Sequence, residues 1–459
     1  MILTMDEFRA YEPKKQSFAL FGHPIGHTLS PELHAMLFAA SKKDCDYFAV
    51  DVPPEQLEEA VQIARQKLSG LNLTIPHKKE IFAYLDAVDE TAMNLGSVNT
   101  VHFINGQAVG YNTDILGFSG SLEYDHIDVT GKIAVVCGYG GVSRVMAYHL
   151  ANAGAKVLIT GRNLSKAKKL RNELRSYLPK ANVEIMPATQ LPRASAILVN
   201  GTPLGMFPNE QDSPLEKLPI GTQYAFDAVY NPPLTAFMKL APTQAKTRNG
   251  LLMLVLQAAY AQTIWFGTQF ENESLTRILR RLSGGMASKR LQAVYGKKNI
   301  VLCGFMGSGK TTLGRKLARI MGYQFLDMDD YLEDREHKKI SDIFAEIGEQ
   351  GFRDIETACA HEVADYSGYV IALGGGAVLR EENVEQYKKN GLLIHLNTPF
   401  YRIVQNLSYD TSRPLLKGDK EKQTRLLYNQ RKRIYLSCAD KSVSGTRISA
   451  ILEEIFAAI

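Results

Sequence analysis

Short apolar runs alternate with amphipathic stretches along most of the chain. The runs at 17–22, 133–137 and 300–302 have the length of buried strands, whereas the apolar stretch at 251–266 is long enough for a helix. Strands that alternate with helices are typical of α/β proteins, in which helices cover a largely parallel sheet. The pattern therefore predicts an α/β fold class throughout. Residues 1–15 are polar, and we interpret them as a loose lead-in.

The periodic pattern is lost between residues 282 and 298, where glycine and lysine become frequent. This composition indicates a linker, which we place at 286–298. A chain of 459 residues has room for two or three domains. The linker divides it into an N-terminal part, 1–285, and a C-terminal part, 299–459.

The composition is that of a globular protein, with 45% hydrophobic and 22% charged residues. No apolar run approaches the length of a membrane span, and the N-terminus lacks a signal-peptide pattern, so we expect a cytoplasmic protein without membrane contact. The net charge of +5 is dispersed, which argues against nucleic-acid binding and suits small anionic substrates. The five cysteines form no C-x-x-C pair, so we expect reduced thiols and no zinc site.

The most specific motif lies in NIVLCGFMGSGKTT, residues 299–312. Gly304, Gly309, Lys310 and Thr311 complete G-x-x-x-x-G-K-[ST] between an apolar run and a helical pattern. Such a loop points backbone N–H groups at phosphate, and the helix that follows offers its positive end. Lys310 is expected to reach the β- and γ-phosphates, and the Thr311 hydroxyl a magnesium ion. The motif predicts binding of a nucleoside triphosphate.

A second glycine-rich turn, GYGGVS at residues 138–143, also follows an apolar run and opens a helical pattern. Because Ser143 replaces the third glycine of G-x-G-x-x-G, the turn alone is weak evidence for a dinucleotide. The next run ends at Thr160-Gly161-Arg162, where an NAD-selective site usually has an acidic residue. Arg162, with Lys166 one turn further, suits the 2′-phosphate of NADP instead.

Polar residues collect just after several predicted strands of the N-terminal part. They are Thr28, Ser30, Thr74, Lys78, Asn99, Thr113 and Asp114. Each of them alone is explained by turn chemistry or as an exposed side chain. Because ligand sites in α/β proteins lie at the carboxyl ends of strands, the group together predicts a site for a small polar acid.

From about residue 18 to residue 270 the chain resembles shikimate dehydrogenase. Eight segments of that family occur in order, including GHPIGHTLSP, NLTIPHK, GSVNT, GYNTD, NGTPLGM, DAVYNPPLT and NGLLMLVLQAA. The resemblance implies a substrate domain at about 16–116 plus 248–280 and a Rossmann-like NADP-binding domain at about 117–247. It also implies NADPH-dependent reduction of 3-dehydroshikimate to shikimate.

The same resemblance implies roles for single residues. Thr28, Ser30 and Tyr230 face the substrate carboxylate, Thr74, Asn99, Asp114 and Gln257 hold ring hydroxyls, Lys78 and Asp114 form the catalytic pair, and Gly138, Gly140, Gly141, Arg162 and Gly250 bind NADP(H). The chemistry agrees, because an ammonium can stabilise and protonate the oxygen of a ketone that accepts hydride. The chain departs from the family at Thr28, where serine is commoner, and at Gly161 and Asn163, which flank Arg162 where N-R-T is common.

From about residue 299 to the end the chain resembles shikimate kinase, with FLDMDD, ISDIFAEIGEQGFRDIE, VIALGGGAV, SYDTSRPLLKGDKE and QRKRIY in order. The resemblance implies a P-loop α/β/α kinase domain with a parallel sheet, which phosphorylates shikimate with ATP and Mg²⁺. It implies that Asp329, Arg353, Gly375 and Arg431 surround shikimate, that Gly307, Gly309, Lys310, Thr311 and Thr312 bind ATP, that Thr311 and Asp327 serve the metal, and that Arg413 is a catalytic lid residue. Where the family usually has another arginine, this chain has Asn406; either turnover is lower or another residue, such as Arg402, compensates.

The two resemblances share one intermediate, shikimate. Together they imply a bifunctional enzyme of the shikimate pathway, which serves aromatic amino acid biosynthesis, with 3-dehydroshikimate and shikimate as its small-molecule partners. Two alternatives stay open. One is a broader quinate/shikimate dehydrogenase fused to the same kinase, and the other is a ligand sensor with one inactive half. The intact Lys78, Asp114, Lys310 and Asp327 argue against the sensor.

Overall fold

The computed structural model describes residues 1–26, 28–408, 419–445 and 448–459. The chain divides into two compact units, Met1–Leu279 and Arg280–Ile459. Within the ranges described, none of the helices combines the length and apolar character that a bilayer crossing requires.

The first unit contains two sheets and the helices that cover them. Its strands are β1 (Ile2–Leu3), β2 (Ser17–Gly22), β3 (Asp46–Asp51), β4 (Gly70–Leu73), β5 (Ala87–Val88), β6 (Thr100–Ile104), β7 (Gln107–Tyr111), β8 (Ile133–Cys137), β9 (Lys156–Thr160), β10 (Val183–Ile185), β11 (Ile197–Asn200), β12 (Tyr224–Asp227) and β13 (Lys246–Asn249). Its helices are α1 (Met5–Ala10), α2 (Ser30–Ala40), α3 (Leu57–Lys67), α4 (Glu90–Leu95), α5 (Asp114–Tyr124), α6 (Gly141–Asn152), α7 (Leu164–Tyr177), α8 (Ala236–Lys239) and α9 (Leu251–Phe266).

The first sheet has the strand order β1-β3-β2-β4-β6-β7-β5. Strands β1 to β4 pair in parallel, whereas β6 pairs antiparallel with β4 and with β7. This hairpin interrupts the expected alternation of strands and helices. Its turn is Asn105-Gly106, where both residues have positive φ, 52° and 77°. That dipeptide is the preferred turn of a two-residue hairpin, because its twist matches that of the paired strands.

The first fifteen residues are an ordered part of this sheet rather than the loose lead-in we expected. Ile2 pairs with Ala49 across β1 and β3. The Thr4 hydroxyl accepts a hydrogen bond from the Glu7 N–H at 3.3 Å and so caps α1. Phe8 on this helix is fully buried, with its ring centroid 5.5 Å from that of Phe21. Burial of these apolar side chains outweighs the polar character of the segment.

The second sheet has the order β10-β9-β8-β11-β12-β13, and all of its strands are parallel. This is the strand order of a dinucleotide-binding fold. The sheet is covered on both faces, and its central strands are apolar and buried, as in Val135, Val136 and Leu198. The order reverses between β8 and β11, where a crevice for ligand opens at the carboxyl ends of the strands.

The second unit is a five-stranded parallel sheet of order β15-β16-β14-β17-β18, flanked by helices. Its strands are β14 (Asn299–Cys303), β15 (Gln324–Asp327), β16 (Tyr369–Ala372), β17 (Gly391–Leu396) and β18 (Lys441–Val443). The remaining helices are α10 (Asn272–Tyr295), which spans the boundary between the units, and α11 (Lys310–Met321), α12 (Met328–Glu336), α13 (Ile340–Val363), α14 (Glu381–Asn390), α15 (Phe400–Ser408), α16 (Asp419–Cys438) and α17 (Ile448–Ala458).

The segment expected to be a linker, 286–298, is instead helical up to Tyr295. Leu291 in this segment is fully buried in an apolar cluster of the second unit. An ideal Cβ on Gly284 would lie 2.2 Å from the Ile320 carbonyl oxygen, so glycine permits α10 to pack closely against α11. The glycines that we interpreted as a break in structure are therefore contact positions within a helix.

Candidate active sites

The first cavity lies within the first unit and has a volume of about 630 Å³. It is lined by Thr28, Ser30, Thr74, Lys78, Asn99, Asp114, Tyr230 and Gln257, which are the substrate and catalytic residues expected for this half of the chain. Val142 and Gly250 line the same cavity from the side of the second sheet. Polar residues at the strand ends of the first sheet and residues of the dinucleotide-binding fold thus line the same cavity.

Lys78 and Asp114 form an ion pair inside this cavity. The Lys78 Nζ donates a hydrogen bond to Asp114 Oδ2 at 2.6 Å. The Asn99 side-chain amide donates to the other carboxylate oxygen, Oδ1, at 2.8 Å. The Lys78 and Asp114 side chains are 24% and 13% exposed, so the pair is shielded from bulk water but open to the cavity. An ammonium held in this way can donate a proton to a substrate oxygen.

Two threonine neighbours fix the orientation of the Asn99 amide. The Thr113 backbone N–H donates to Asn99 Oδ1 at 2.7 Å, and the Thr100 hydroxyl donates to the same oxygen at 3.1 Å. Because the amide oxygen already accepts these bonds, its NH₂ group must face Asp114. Asn99 therefore orients the carboxylate that holds Lys78.

Three further residues at this site were missed by the sequence analysis. Asn72 and His34 line the cavity, and the Tyr47 hydroxyl donates to Asn72 Oδ1 at 2.7 Å. The His34 ring stacks on Tyr47 with centroids 4.0 Å apart, and burial lowers the pKa of His34 to about 3. His34 is therefore neutral at pH 7. A signal was present, since Asn72 opens NLTIPHK and His34 follows GHPIGHTLSP by three residues.

The Ser30 hydroxyl does not cap α2. Leu29 occupies the cap position, and Ser30 is the first helical residue. The Thr28 hydroxyl accepts a hydrogen bond from the Ser30 N–H at 3.1 Å, which fixes the entry into the helix. Both side chains still line the cavity at the carboxyl end of β2.

The segment that carries Tyr230 is anchored by Asp227, which is fully buried at the end of β12. Asp227 accepts hydrogen bonds from the Asn200 amide at 2.9 Å, the Val229 N–H at 3.0 Å and the Thr235 hydroxyl at 2.6 Å. Burial disfavours its charge more than these donors favour it, and raises the pKa of Asp227 to about 6. Burial also raises the pKa of Tyr230, which stays a neutral hydroxyl at pH 7.

Asp227→Asn is expected to change how the stability of the first unit depends on pH. Because the folded carboxyl has the higher pKa, it stabilises the fold when protonated, and this contribution is lost as pH rises through about 6. Relative to the variant, the wild type should lose about 2 kcal/mol of unfolding free energy between pH 4.5 and 7. Urea unfolding followed by the fluorescence of Trp265, the one tryptophan of the sequence, measures this unit. Parallel pH profiles for the two proteins would contradict the assignment.

The glycine-rich turn of the second sheet fits a pyrophosphate. Gly138 has φ +103°, and an ideal Cβ there would lie 2.6 Å from the Ser143 hydroxyl. That hydroxyl donates to the Gly201 carbonyl at 3.1 Å, so Ser143, at the third glycine position, binds α6 to the turn after β11. Nothing lies within 4 Å of an ideal Cβ on Gly140 or Gly141, which leaves the start of α6 open to a ligand. Helix N-termini of this kind bind phosphate groups.

Two cations lie at the end of β9, where the ribose of a dinucleotide is bound in this fold. Arg162 is exposed directly after the strand, and Lys166 lies in the first turn of α7. The Asn163 side chain accepts a hydrogen bond from the Lys166 N–H at 3.0 Å and caps this helix. Residues 160–166 contain no acidic side chain, so the site fits a 2′-phosphate rather than a free ribose hydroxyl.

The second cavity, of about 640 Å³, lies within the second unit. It is lined by the expected residues Gly307, Gly309, Lys310, Thr311, Thr312, Asp327, Asp329 and Gly375. Arg402, Asn406 and Ile451 are among the other residues of its wall. The expected catalytic residue Arg413 and residues 409–418 of the expected lid lie outside the described residues.

The phosphate loop is closed by its own lysine. The Lys310 Nζ donates to the Gly304 carbonyl at 2.9 Å and to the Phe305 carbonyl at 3.2 Å. The Thr311 hydroxyl donates to Asp327 Oδ2 at 2.7 Å. A hydroxyl and a carboxylate are hard oxygen donors that suit Mg²⁺, which takes its other ligands from water and phosphate. Among the residues that the structure describes, no group of three or more His, Cys, Asp or Glu side chains is placed to hold a metal ion.

The glycines at 374–376 let the expected acceptor-binding residues approach one strand end. An ideal Cβ on Gly376 would lie 2.3 Å from Arg353 Nη2, and one on Gly374 would lie 2.6 Å from Asp329 Oδ1. The Arg431 guanidinium donates to the Gly375 carbonyl at 3.4 Å. The triple glycine thus brings two cations and one carboxylate together beside the phosphate loop.

Arg353 is held in place by a buried partner. Its Nη1 donates to Glu356 Oε2 at 2.6 Å, and the Glu356 side chain is only 6% exposed. Burial raises the pKa of Glu356, against the lowering effect of Arg353. The Glu356 carboxylate occupies the Nη1 edge of the guanidinium, and the exposed Glu349 carboxylate lies 3.6 Å from Nη2.

Asn406 contacts the phosphate loop directly. Its side-chain amide donates to the Gly307 carbonyl at 2.8 Å. Arg402 lies one turn earlier on α15, lines the same cavity and donates to the Gln405 side chain at 2.8 Å. At the position where the related kinases usually have arginine, this chain therefore supports the loop instead of presenting a charge.

Two known families match different parts of the chain. The family model of the shikimate dehydrogenase substrate binding domain matches residues 20–101, and that of shikimate kinase matches residues 306–459. The NADP(+) shikimate dehydrogenase of Symbiobacterium thermophilum is 41% identical over 258 residues, which cover 54% of this chain and 88% of that protein. The one from Methanocaldococcus jannaschii is 38% identical over 264 residues, covering 56% and 93%.

Solved structures give the same result for the first unit. A shikimate dehydrogenase in complex with NADP⁺ is 36% identical, with a TM-score of 0.55, over 58% of this chain and 95% of that one. The Thermus thermophilus enzyme with NADP(H) and shikimate is 33% identical, with a TM-score of 0.53, over 58% and 99%. A ligand-free 5-ketofructose reductase from Gluconobacter is 30% identical, also with a TM-score of 0.53, over 59% and 99%.

These findings confirm the expected fold class, with a Rossmann-like first half and a P-loop second half. They also confirm the expectation that each half of the chain is an enzyme. The chain belongs to the shikimate dehydrogenase family and joins that enzyme to a shikimate kinase domain, as a bifunctional protein of the shikimate pathway.

Proposed function

We propose that the first unit reduces 3-dehydroshikimate to shikimate with NADPH, and that the second phosphorylates shikimate with ATP and Mg²⁺. The observation that carries the proposal is that the expected substrate and catalytic residues of the first half line one cavity of the first unit. In the second unit, the expected phosphate-loop residues line another cavity together with Asp327, Asp329 and Gly375. The coupling of the two activities follows from chemistry, because the product of the first is the substrate of the second.

In the first site, bound NADPH supplies the hydride. The Lys78 ammonium stabilises and protonates the substrate oxygen as negative charge develops on it. Asp114 holds this ammonium at 2.6 Å, and a proton taken up from solvent restores the ammonium between turnovers. Thr28, Ser30 and Tyr230 supply hydroxyls for the carboxylate of the substrate, and their position in the cavity supports this assignment.

In the second site, bound ATP with Mg²⁺ supplies the phosphoryl group. Lys310 exchanges its contacts to the loop carbonyls for contacts to phosphate oxygens. Asp329 accepts the hydrogen bond of the acceptor hydroxyl and orients it for attack. Arg353 and Arg431 bind the carboxylate of shikimate, because a guanidinium fork matches that group in shape and charge.

An assay with the full chain tests the proposal. With 3-dehydroshikimate, NADPH, ATP and Mg²⁺, NADPH oxidation should be followed by ADP release. Omission of ATP should leave only NADPH oxidation, and shikimate with ATP should give only ADP. If NADPH is oxidised but shikimate never yields ADP, the second half is a ligand sensor rather than a kinase. If ADP is released but NADPH is not oxidised, the same holds for the first half.

A broader dehydrogenase is the second candidate for the first unit. The similarity to a 5-ketofructose reductase at 30% identity supports it, because that protein is named for another polyhydroxylated ketone. The ratio of kcat/KM for shikimate and quinate decides between the two. We propose shikimate as the preferred substrate, and a ratio near one would favour the broader enzyme.

The cellular location is also a proposal. The cysteines of the chain, Cys45, Cys137, Cys303, Cys359 and Cys438, are free thiols in this structure. Free thiols are typical of a reducing compartment, and we propose the cytoplasm. Fractionation of cells with an antibody to the chain would test this.

Gly376→Ala is expected to weaken shikimate binding by the kinase. The new methyl group would lie 2.3 Å from the Arg353 guanidinium and displace it from the acceptor site. Loss of a charge-assisted pair should raise the KM for shikimate about tenfold or more, with the KM for ATP nearly unchanged. Initial rates of ADP release measure both constants. NADPH oxidation by the same sample is the control for protein quality, and an unchanged KM for shikimate would contradict the role of Arg353.

A further inference from the structure

The backbone conformation of residue 161 does not require glycine. Its φ lies outside the positive range that favours glycine, unlike that of Gly138 nearby. What excludes a side chain is Tyr139, since an ideal Cβ on Gly161 would lie 2.8 Å from Tyr139 Cε1 and 3.2 Å from Cδ1. The space beside residue 161 is thus filled by an aromatic ring from the glycine-rich turn.

The backbone holds this ring at the end of β9, beside Lys166. The Gly138 N–H donates to the Thr160 carbonyl at 2.8 Å, which joins the turn of Tyr139 to the strand that leads to Arg162. The Lys166 Nζ lies over the Tyr139 ring, 5.9 Å from its centroid. An ammonium at this distance is attracted to the face of the ring.

We propose that Tyr139 is a specificity-determining residue for the 2′-phosphorylated ribose of the cofactor, in place of the side chain that position 161 lacks. The ring attracts the Lys166 ammonium to the strand end that Arg162 follows, where both cations would face a 2′-phosphate. The turn at 138–143 and the strand end at 160–166 contain no carboxylate that would select a free ribose hydroxyl. This inference rests on the proposed use of NADPH.

Titration of the full chain with NADPH or NADH, followed by nicotinamide fluorescence, tests the inference without turnover. Because the fluorescence comes from the reduced nicotinamide ring, ATP bound in the second unit adds no signal to this titration. Tyr139→Ala and Lys166→Gln should each raise the Kd of NADPH five- to tenfold and that of NADH less than twofold. Tyr139→Phe should bind both cofactors as the wild type does. Lys168→Gln is the matched control, since it removes the same charge from another face of α7 and should change neither Kd.

A double-mutant cycle separates this role from packing. Gly161→Ala should weaken NADPH binding in the wild type because the methyl group displaces the Tyr139 ring. In the Tyr139→Ala background the same change should cost nothing further. An equal loss of NADPH and NADH affinity in Tyr139→Ala, or the same effect of Gly161→Ala in both backgrounds, would overturn the inference. A wild type that binds no NADPH would instead overturn the proposed function.

Discussion

Lys78→Ala should lower the turnover number of 3-dehydroshikimate reduction about a thousandfold and leave shikimate phosphorylation within twofold of the wild type. Lys78 is the cation that contacts the cavity carboxylate Asp114, at 2.6 Å. Without it, the negative charge that develops on the substrate oxygen has no ammonium to stabilise it. A thousandfold loss corresponds to about 4 kcal/mol of transition-state stabilisation, within the range expected for a positioned general acid.

The neighbouring Lys79 is the matched control for this experiment, because it is exposed and lies next to Lys78 in the chain. Lys79→Ala removes the same charge and should keep both activities. NADPH oxidation and ADP release are measured on one sample of each variant. The role of Lys78 is contradicted if Lys78→Ala retains a tenth of the wild-type turnover, or if Lys79→Ala loses as much.

The assignment of Asp114 can be separated from that of Lys78 in the same assay. Asp114→Asn keeps the shape of the side chain but removes the negative charge that holds the ammonium in place. It should therefore lower turnover more than it raises the KM for 3-dehydroshikimate. Exchange of both residues together should cost little more than the loss of Lys78 alone, because the two act as a unit.

Much of the fold could be predicted from the hydrophobic pattern, because buried strands and apolar helices carry strong local signals. The helix at 251–266 has the same bounds in the structure as in the sequence pattern. The failures have identifiable causes. Residues 1–15 are mostly polar, and only a few of their side chains, such as Phe8, are buried, so their apolar pattern is weak. Asn105-Gly106 is a clear hairpin signal, and it forms the antiparallel pair β6–β7 that the alternation of strands and helices does not predict.

The glycine-containing segment near 284 shows a different limit. A glycine in a sequence is compatible with a flexible linker or with a close contact between helices, and composition alone does not separate the two. The decisive fact is that α11 approaches Gly284 closely enough to exclude a side chain. That contact joins positions more than thirty residues apart, so no local pattern reports it.

The sites were predictable where a motif combined several functional groups. Lys78 and Asp114 each end a recognisable segment, Asn99 is the next-to-last residue of another, and the structure places all three in one cavity. The supporting residues were not predictable in this way. Tyr47 resembles any aromatic residue of a buried strand, and its hydrogen bond to Asn72 depends on the pairing of distant strands. The same holds for Tyr139 and Gly161, whose relation is steric and appears only when the turn and the strand end are side by side.

Lys310→Ala should lower the turnover number of ADP release with shikimate about a thousandfold. NADPH oxidation should stay within twofold of the wild type. Lys310 is the lysine of the phosphate loop, and its ammonium lies against the Gly304 and Phe305 carbonyls. When ATP binds, the same ammonium is in reach of the phosphates whose charge rises during transfer. Alanine provides neither this charge nor the contacts that close the loop.

Lys316→Ala is the matched control, because Lys316 is exposed on the same helix, α11, and carries the same charge. Thermal unfolding of both variants shows whether the loss of the loop contacts also destabilises the second unit. If Lys310→Ala unfolds at the wild-type temperature and still releases ADP at a tenth of the wild-type rate, the loop is not the catalytic phosphate site. If NADPH oxidation falls together with ADP release, the two sites are not independent, and the description of the chain as two separate enzymes joined end to end would have to be abandoned.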